Sequence, residues 1–126
     1  MRRTALVLSL LALSACARTP GDRNFTVFFN DFSNRIDPTA QQIVAAAAAS
    51  ARAHPSSPVK VTGYADRAGS TEADVRLSKG RSDAVTYLLE RNGIPNTQIF
   101  QAAVGTPLNT QPGVERRRVD IFVDFP

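Results

Sequence analysis

The stretch TGYADRAGS, residues Thr62–Ser70, leaves a strand, turns through a loop that contains glycine and enters a helix. Before it, Val59–Thr62 alternates apolar and polar residues, which is typical of a strand. After it, Ser70 or Thr71 is the expected N-cap of a helix, because either side chain can accept a hydrogen bond from a free backbone amide. Asn92-Gly93 is the expected end of that helix. We therefore predict a strand–loop–helix unit that begins at Val59.

The predicted helix carries an arginine on its apolar face. At about 100° per residue, Leu77, Ala84 and Leu88 all point within about 20° of one direction. Arg81 lies about 40° from Leu77, inside this apolar arc, and Asp74 lies about 60° from it. A buried guanidinium must find acceptors, since burying an unpaired charge is costly. Arg81 is therefore the residue of this helix that most needs a partner.

Asp66, at the strand end just before the loop, is the nearest candidate partner of Arg81. Two interpretations are open. In the first, the two residues form an internal ion pair that fixes the corner between strand and helix. In the second, they face a ligand and grip a zwitterion, because a carboxylate accepts hydrogen bonds from an ammonium group and a guanidinium clasps a carboxylate with two parallel bonds. The residues alone weigh the two equally, since structural ion pairs also produce such patterns.

The remaining segments complete the fold. Phe25–Phe29 is aromatic and β-branched and is predicted to be the first strand. Asp37-Pro38 predicts the start of a helix, which continues through Gln41–Arg52 with its run of alanines. Ile99–Val104 and Arg117–Phe125 are predicted to be the third and fourth strands. The order β-α-β-α-β-β predicts an α+β fold, a two-layer sandwich with two helices on one face of a mixed four-stranded sheet.

The first residues form a targeting segment. Arg2 and Arg3 precede the apolar run Thr4–Ala15, which has the pattern of a secretory signal and is too short to span a bilayer as a helix. Leu13-Ser14-Ala15-Cys16 resembles the lipobox of bacterial lipoproteins. That resemblance implies cleavage before Cys16 and attachment of lipid to it, and an ordinary signal peptide is the alternative.

These features divide the chain into three predicted segments. They are a lipoprotein signal peptide at 1–15, a lipidated tether at 16–24 that contains Pro20 and Gly21, and one domain at 25–126. Residue 17 is Ala and not Asp. By the same resemblance to lipoproteins, this implies an anchor on the periplasmic face of the outer membrane.

The composition argues against several classes of protein. Cys16 and His54 are the only cysteine and the only histidine, so the domain can form no disulfide and no metal site of cysteine and histidine. No nucleophile motif accompanies His54, and we predict no enzymatic activity, no metal and no cofactor. The formal charge of +4 falls by two, to +2, when the signal with Arg2 and Arg3 is removed. Arg116–Arg118 is the densest basic cluster, and nucleic acid is a poor candidate partner.

The motifs resemble those of the OmpA-like peptidoglycan-binding domain family. That family carries T-G-x-[AT]-D-x-x-G-[ST], then N-x-x-L-S-x-x-R-A, then [NR]-R-R-V-[DE]-I. The corresponding stretches here are Thr62–Ser70, Asp74–Ser82 and Arg116–Ile121. The resemblance covers about residues 25–125, and the motifs occur in the same order.

The resemblance implies that Asp66 and Arg81 hold meso-diaminopimelate of the peptidoglycan peptide stem. Asp74 stands where the family has Asn. The motif after the first strand, usually an aromatic residue followed by Asp, reads Phe29–Ser33, as if acid and aromatic had exchanged places. Tyr64 and Phe32 are equally compatible with the rim of the core. The further ligand contacts that we expect are Asn30, Asp31, Phe32, Tyr64, Ala65, Asp74 and Arg117.

The function predicted from the sequence is that of an outer-membrane lipoprotein that binds peptidoglycan without covalent chemistry and tethers the membrane to the cell wall. The expected partners are peptidoglycan, the outer membrane through the lipid, and other envelope proteins. The alternative is a module for protein–protein interaction in the envelope, with the same fold and no binding to the wall. The altered residues at Asp74 and at Asn30-Asp31-Phe32 keep this alternative open.

Overall fold

The computed structural model describes residues 21–66, 69–107 and 113–126. The predicted signal peptide, the lipidation site Cys16 and most of the predicted tether lie outside these residues. Arg67 and Ala68 of the central motif also lie outside them.

The described residues form the predicted succession of helices and strands, and the α+β fold is confirmed. The strands are β1 (Asn24–Phe28), β2 (Val59–Tyr64), β3 (Ile99–Gly105) and β4 (Arg118–Val123). The helices are α1 (Pro38–Ala53) and α2 (Thr71–Arg91), with single 3₁₀ turns at Asn96–Gln98 and Val114–Arg116. The strands lie in the order β1-β4-β2-β3, with β2 and β3 parallel and the other two pairs antiparallel.

The core lies between the sheet and the two helices. On β4, Val119, Ile121 and Val123 are buried, because side chains along a strand alternate between the two faces of the sheet. Helix α1 meets the sheet with small side chains, which lets it lie close to the strands. Its buried apolar residues are Ala40, Val44, Ala47, Ala48 and Ala51. Asp37 is the N-cap, as predicted, and its Oδ1 accepts a hydrogen bond from the amide of Ala40 at 2.7 Å.

Helix α2 turns a different face to the sheet from the one that its apolar residues predict. Ser78, Arg81 and Ser82 are fully buried, whereas Leu77 is only partly buried. The reason is the close approach of α2 to β2. A Cβ atom added to Gly63 would lie 2.1 Å from the carbonyl oxygen of Ser78. Small side chains fit along this line of contact, so serines occupy it and the leucine is displaced to one side.

The chain joins the folded domain earlier than predicted. The hydroxyl of Ser50 donates to the carbonyl oxygen of Asp22 at 2.6 Å, and the amide of Val123 donates to the carbonyl oxygen of Arg23 at 2.8 Å. The guanidinium of Arg23 also lies 4.4 Å from the centre of the Phe125 ring. The end of the predicted tether is therefore part of the domain, because its backbone is bonded to α1 and to β4.

Replacing Gly63 by Ala should destabilise the domain by about 3 kcal/mol or more, because the new methyl group would overlap a helix backbone atom that cannot rotate away. Urea denaturation followed by circular dichroism measures this loss. Gly80→Ala is the matched control on α2. A Cβ atom there would lie 3.1 Å from Nδ2 of Asn34, the end of a flexible side chain, and Ala favours a helix by about 1 kcal/mol over Gly. We expect Gly80→Ala to stay within about 1 kcal/mol of the wild type. Equal stability of the two variants would contradict the close contact at Gly63.

Candidate functional site

Three connecting segments meet at one end of the sheet. Strands β1 and β2 both run antiparallel to β4, so the ends of β1 and β2 lie beside the start of β4. The loop Phe29–Asp37 follows β1, a loop beginning at Ala65 follows β2, and Gly113–Arg117 precedes β4. The site residues predicted within the domain come from these segments, from the end of β2 and from α2.

Arg81 is buried on α2, as its place in the apolar arc predicts, and it bonds to backbone carbonyls. Its side chain is 0% exposed. Nε donates to the carbonyl oxygen of Ser33 at 2.8 Å, Nη2 to that of Asn30 at 3.0 Å and Nη1 to that of Tyr64 at 3.1 Å. The guanidinium carbon lies 5.4 Å from the centre of the Phe29 ring. One side chain thus joins α2, the end of β2 and the loop after β1.

The internal ion pair between Asp66 and Arg81 is not formed, so that interpretation is wrong. Asp66 pairs instead with Arg116, with 3.1 Å between Oδ2 and Nη1. A second pair joins Asp31 to Arg117, with 3.0 Å between Oδ1 and Nη1. Arg117 is held from the other side as well, because its Nε donates to the carbonyl oxygen of Phe29 at 3.0 Å.

Arg116 is the site residue that the sequence did not single out. It lies in the 3₁₀ turn Val114–Arg116 before β4. The alternation of side chains along a strand predicts which face of the sheet Arg117 and Arg118 occupy. It predicts nothing about the direction of the Arg116 side chain, because Arg116 lies in a turn. The sequence feature that could have pointed to Arg116 is the run of three arginines at Arg116–Arg118.

The two ion pairs border a small open cleft. Asp31, Asp66, Gly113 and Arg117 line it, and its volume is about 110 Å³. This is the space of roughly four water molecules, at about 30 Å³ each. The cleft therefore presents the carboxylates of Asp31 and Asp66 and the guanidinium of Arg117, so both signs of charge face a space that suits the head of an amino acid, with its ammonium group and its carboxylate on one carbon atom. The structure brings together three of the predicted residues, Asp31, Asp66 and Arg117.

The surroundings of Arg81 change its pKa. Burial lowers the pKa of Arg81, the positive charge of Arg117 lowers this pKa further, and the negative charge of Asp31 raises it. The ordinary pKa of an arginine side chain is so far above neutral pH that the group is not deprotonated in proteins. Arg81 therefore remains a buried cation whose donors are directed at carbonyl oxygens.

Besides Asp31, two further predicted contacts in the loop after β1 are exposed. Phe32 is 69% exposed, so it does not border the core. Its φ is 55°, which lies in the left-handed region. Asn30 is also exposed, and it lines a neighbouring cleft of about 290 Å³ that the loop shares with the start of α1.

Three other predicted contacts do not line the described part of the cleft. Ala65 is fully buried, so no ligand can reach its methyl group in this structure. Asp74 is also buried, and its Oδ2 accepts a hydrogen bond from the hydroxyl of Thr106 at 3.2 Å. The guanidinium of Arg118 lies 4.3 Å from the centre of the Tyr64 ring and covers one face of that ring.

Within residues 21–66, 69–107 and 113–126, no group of three or more histidine, cysteine, aspartate or glutamate side chains is placed to hold a metal ion. Over the same ranges, the helices lack the combination of length and apolar character that crossing a membrane requires.

The model of the OmpA family matches residues 28–118. Among solved structures, the OmpA-like domain of FopA1 from Francisella tularensis subsp. tularensis SCHU S4 is similar, with a TM-score of 0.71, 18% identity, and coverage of 79% of this chain and 70% of that chain. The peptidoglycan-associated lipoprotein from Burkholderia pseudomallei gives a TM-score of 0.69, 22% identity and coverage of 85% and 95%. The periplasmic domain of Helicobacter pylori MotB gives a TM-score of 0.65 and 18% identity, and the match covers 82% of this chain and 79% of that chain. These identities show a shared fold. No curated protein matches the chain in sequence.

Replacing Arg81 by Leu should destabilise the domain by about 3 kcal/mol, because three carbonyl oxygens would lose a charged donor that the apolar side chain cannot replace. Urea denaturation measures the change. Arg76→Leu, at an exposed position of the same helix, should change stability by less than about 0.5 kcal/mol. A wild-type stability of Arg81→Leu would mean that the three bonds contribute nothing to the fold.

Proposed function

The chain belongs to the OmpA family, and on this premise we propose that its domain binds peptidoglycan without forming a covalent bond. The family is structural and not enzymatic, so the prediction that the chain is not an enzyme is confirmed. The proposed ligand is the meso-diaminopimelate residue of the peptide stem. The proposed site is the cleft between the two ion pairs.

The presence of both signs of charge in the cleft carries this proposal. The free end of diaminopimelate presents an ammonium group and a carboxylate on one carbon atom. Asp31 and Asp66 are suited to accept hydrogen bonds from the ammonium group, and Arg117 is suited to donate to the carboxylate. A zwitterion adds no net charge to the site, so charge repulsion does not oppose its entry.

The two ion pairs differ in how easily a ligand can exchange them. The side chain of Asp31 is 71% exposed and that of its partner Arg117 is 27% exposed. Such a solvent-screened pair contributes only about 0–1 kcal/mol, so a ligand group can replace either member at small cost. The pair of Asp66 and Arg116 is more enclosed, with exposures of 16% and 21%, and it forms the firmer wall of the cleft.

We also propose that lipid on Cys16 anchors the domain to the periplasmic face of the outer membrane. Asn24 pairs with Phe122 at the end of the sheet opposite the cleft, whereas Phe28 pairs with Arg118 beside the cleft. The six residue steps from Cys16 to Asp22 span at most about 20 Å. Such an anchor would hold the domain near the membrane with its cleft directed away from it, as a tether to the wall requires.

The names of two similar structures agree with this proposal. One is a peptidoglycan-associated lipoprotein, and the other is the periplasmic domain of MotB. They support an envelope location for this chain.

Purified sacculi should carry the full chain, kept soluble in mild detergent, into the pellet on centrifugation. Asp66→Asn and Arg117→Gln should each weaken binding about tenfold or more, because each removes one charged partner of the ligand. Arg91→Gln is the control, since Arg91 ends α2 far from the cleft. A stem tripeptide that ends in meso-diaminopimelate should compete, whereas the same tripeptide ending in lysine, which has no carbon atom bearing both an ammonium group and a carboxylate, should not. A folded chain that stays in the supernatant would contradict wall binding and favour a protein–protein interaction module.

Lipid attachment should depend on Cys16. We expect Cys16→Ser to abolish incorporation of labelled palmitate and to leave an unprocessed precursor, because the lipid is attached to the thiol. Metabolic labelling followed by electrophoresis measures both effects. Ser14→Ala, two residues away, should label like the wild type. Unchanged labelling of Cys16→Ser would rule out the lipoprotein assignment without affecting the proposed cleft.

A further inference from the structure

The neighbouring cleft, which Asn30 lines, is larger than the ionic cleft, which Asp31 and Asp66 line. Their volumes are about 290 Å³ and about 110 Å³. The lining of the neighbouring cleft is also more apolar, because Phe28, Ile36 and Pro38 belong to it. The proposed binding of diaminopimelate uses the ionic cleft alone, so it leaves this larger space without a role.

Arg35 brings a positive charge to the lining of the neighbouring cleft. The residue is exposed, and no carboxylate within residues 21–66, 69–107 and 113–126 forms an ion pair with its guanidinium. Asp37 also lines this cleft, but its carboxylate caps α1, where Oδ1 accepts a hydrogen bond from the amide of Ala40 at 2.7 Å. The cleft therefore combines an available cation with an apolar wall, which suits an anionic group that is flanked by methylene groups.

The loop after β1 and Arg117 connect the two clefts. Asn30 lines one cleft and Asp31 lines the other, and the Cα atoms of adjacent residues are about 3.8 Å apart. Arg117 bonds to the lining of both clefts. Its Nη1 lies 3.0 Å from Oδ1 of Asp31, and its Nε donates to the carbonyl oxygen of Phe29 at 3.0 Å. One ligand that crosses the loop at these residues can therefore enter both clefts.

The stem residue that is joined to diaminopimelate has the chemistry that the neighbouring cleft requires. It is a glutamate linked through its side-chain carboxyl group, so its α-carboxylate is free and its two methylene groups lie next to that charge. Ten bonds separate this carboxylate from the zwitterionic carbon of diaminopimelate. At about 3.6 Å for every three bonds of an extended chain, they span at most about 12 Å. The stem is thus long enough to cross a loop whose lining residues are adjacent in sequence.

We propose that Arg35 binds the α-carboxylate of this glutamate, and that it makes the domain selective for stems in which the carboxylate is not amidated. A guanidinium binds a carboxylate with two parallel, charge-assisted hydrogen bonds. A carboxamide carries no charge and offers one acceptor oxygen, so it loses this interaction. The proposal rests on the proposed function, because it assumes that diaminopimelate occupies the ionic cleft.

Two stem tripeptides that end in meso-diaminopimelate test the proposal. They differ in one group, since the glutamate carries a free α-carboxylate in one and a carboxamide in the other. Each is titrated calorimetrically into the full chain in mild detergent. The wild type should bind the carboxylate peptide about tenfold more tightly than the carboxamide peptide. Arg35→Gln should bind both peptides equally, within about twofold of the affinity of the wild type for the carboxamide peptide.

Two further variants make the comparison specific. Arg35→Lys keeps the charge but loses the planar fork, so it should keep a smaller preference for the carboxylate peptide. Arg76→Gln removes an arginine from an exposed position of α2 and should keep the full preference of the wild type. Equal binding of the two peptides by the wild type, or a full preference in Arg35→Gln, would overturn the inference and leave the ionic cleft unaffected. Failure of the wild type to bind either peptide would contradict the proposed function, and the inference with it.

Discussion

A guanidinium enclosed by backbone carbonyls is the interaction on which the functional end of this molecule depends. Burying a charge without a counter-charge is costly unless hydrogen bonds replace those to water. Arg81 meets this requirement with carbonyl oxygens from three places, Asn30, Ser33 and Tyr64. Carbonyls that belong to a strand end and a closed turn cannot move apart independently. The charge therefore fixes the shape of the loop after β1 and, through it, one wall of the cleft.

The placement of Arg81 follows in turn from the contact of α2 with the sheet. Ser78 satisfies its own hydroxyl there, which donates to the carbonyl oxygen of Val75 at 2.8 Å and accepts from the amide of Gly105 at 3.0 Å. Gly63 allows the helix to approach β2 until atoms touch. A larger residue at either position would move α2 outward, and the guanidinium would lose its reach to the loop. Close packing by small polar residues is thus a precondition of the site.

The arginines at this end of the molecule differ in burial and in the partners that they bind. Arg81 is enclosed and bonded to backbone, whereas Arg116 and Arg117 lie at the border of the cleft and are paired with carboxylates. A ligand with both charges can replace the partners in these pairs one for one. A wall ligand held in this way would bind reversibly, which suits the proposed link between the membrane and the wall. The start of the domain lies at the opposite end of the sheet, which gives such a link a direction.

The sequence by itself determined the order of elements, both helix starts, the inward row of β4 and the presence of an arginine on the buried face of α2. These features depend on local patterns: alternation along a strand, a capping side chain, or one turn of a helix. The tertiary structure alone decided which partners the charged residues take. Asp66 meets Arg116 and not Arg81, because chain segments 50 residues apart converge at the sheet end. Periodicity along one helix also misjudged the face of α2, since the depth of packing depends on Gly63 in another element. A local sequence pattern predicts the helix, strand or turn to which a side chain belongs. Its partner depends on which segments the fold brings within about 3 Å of it.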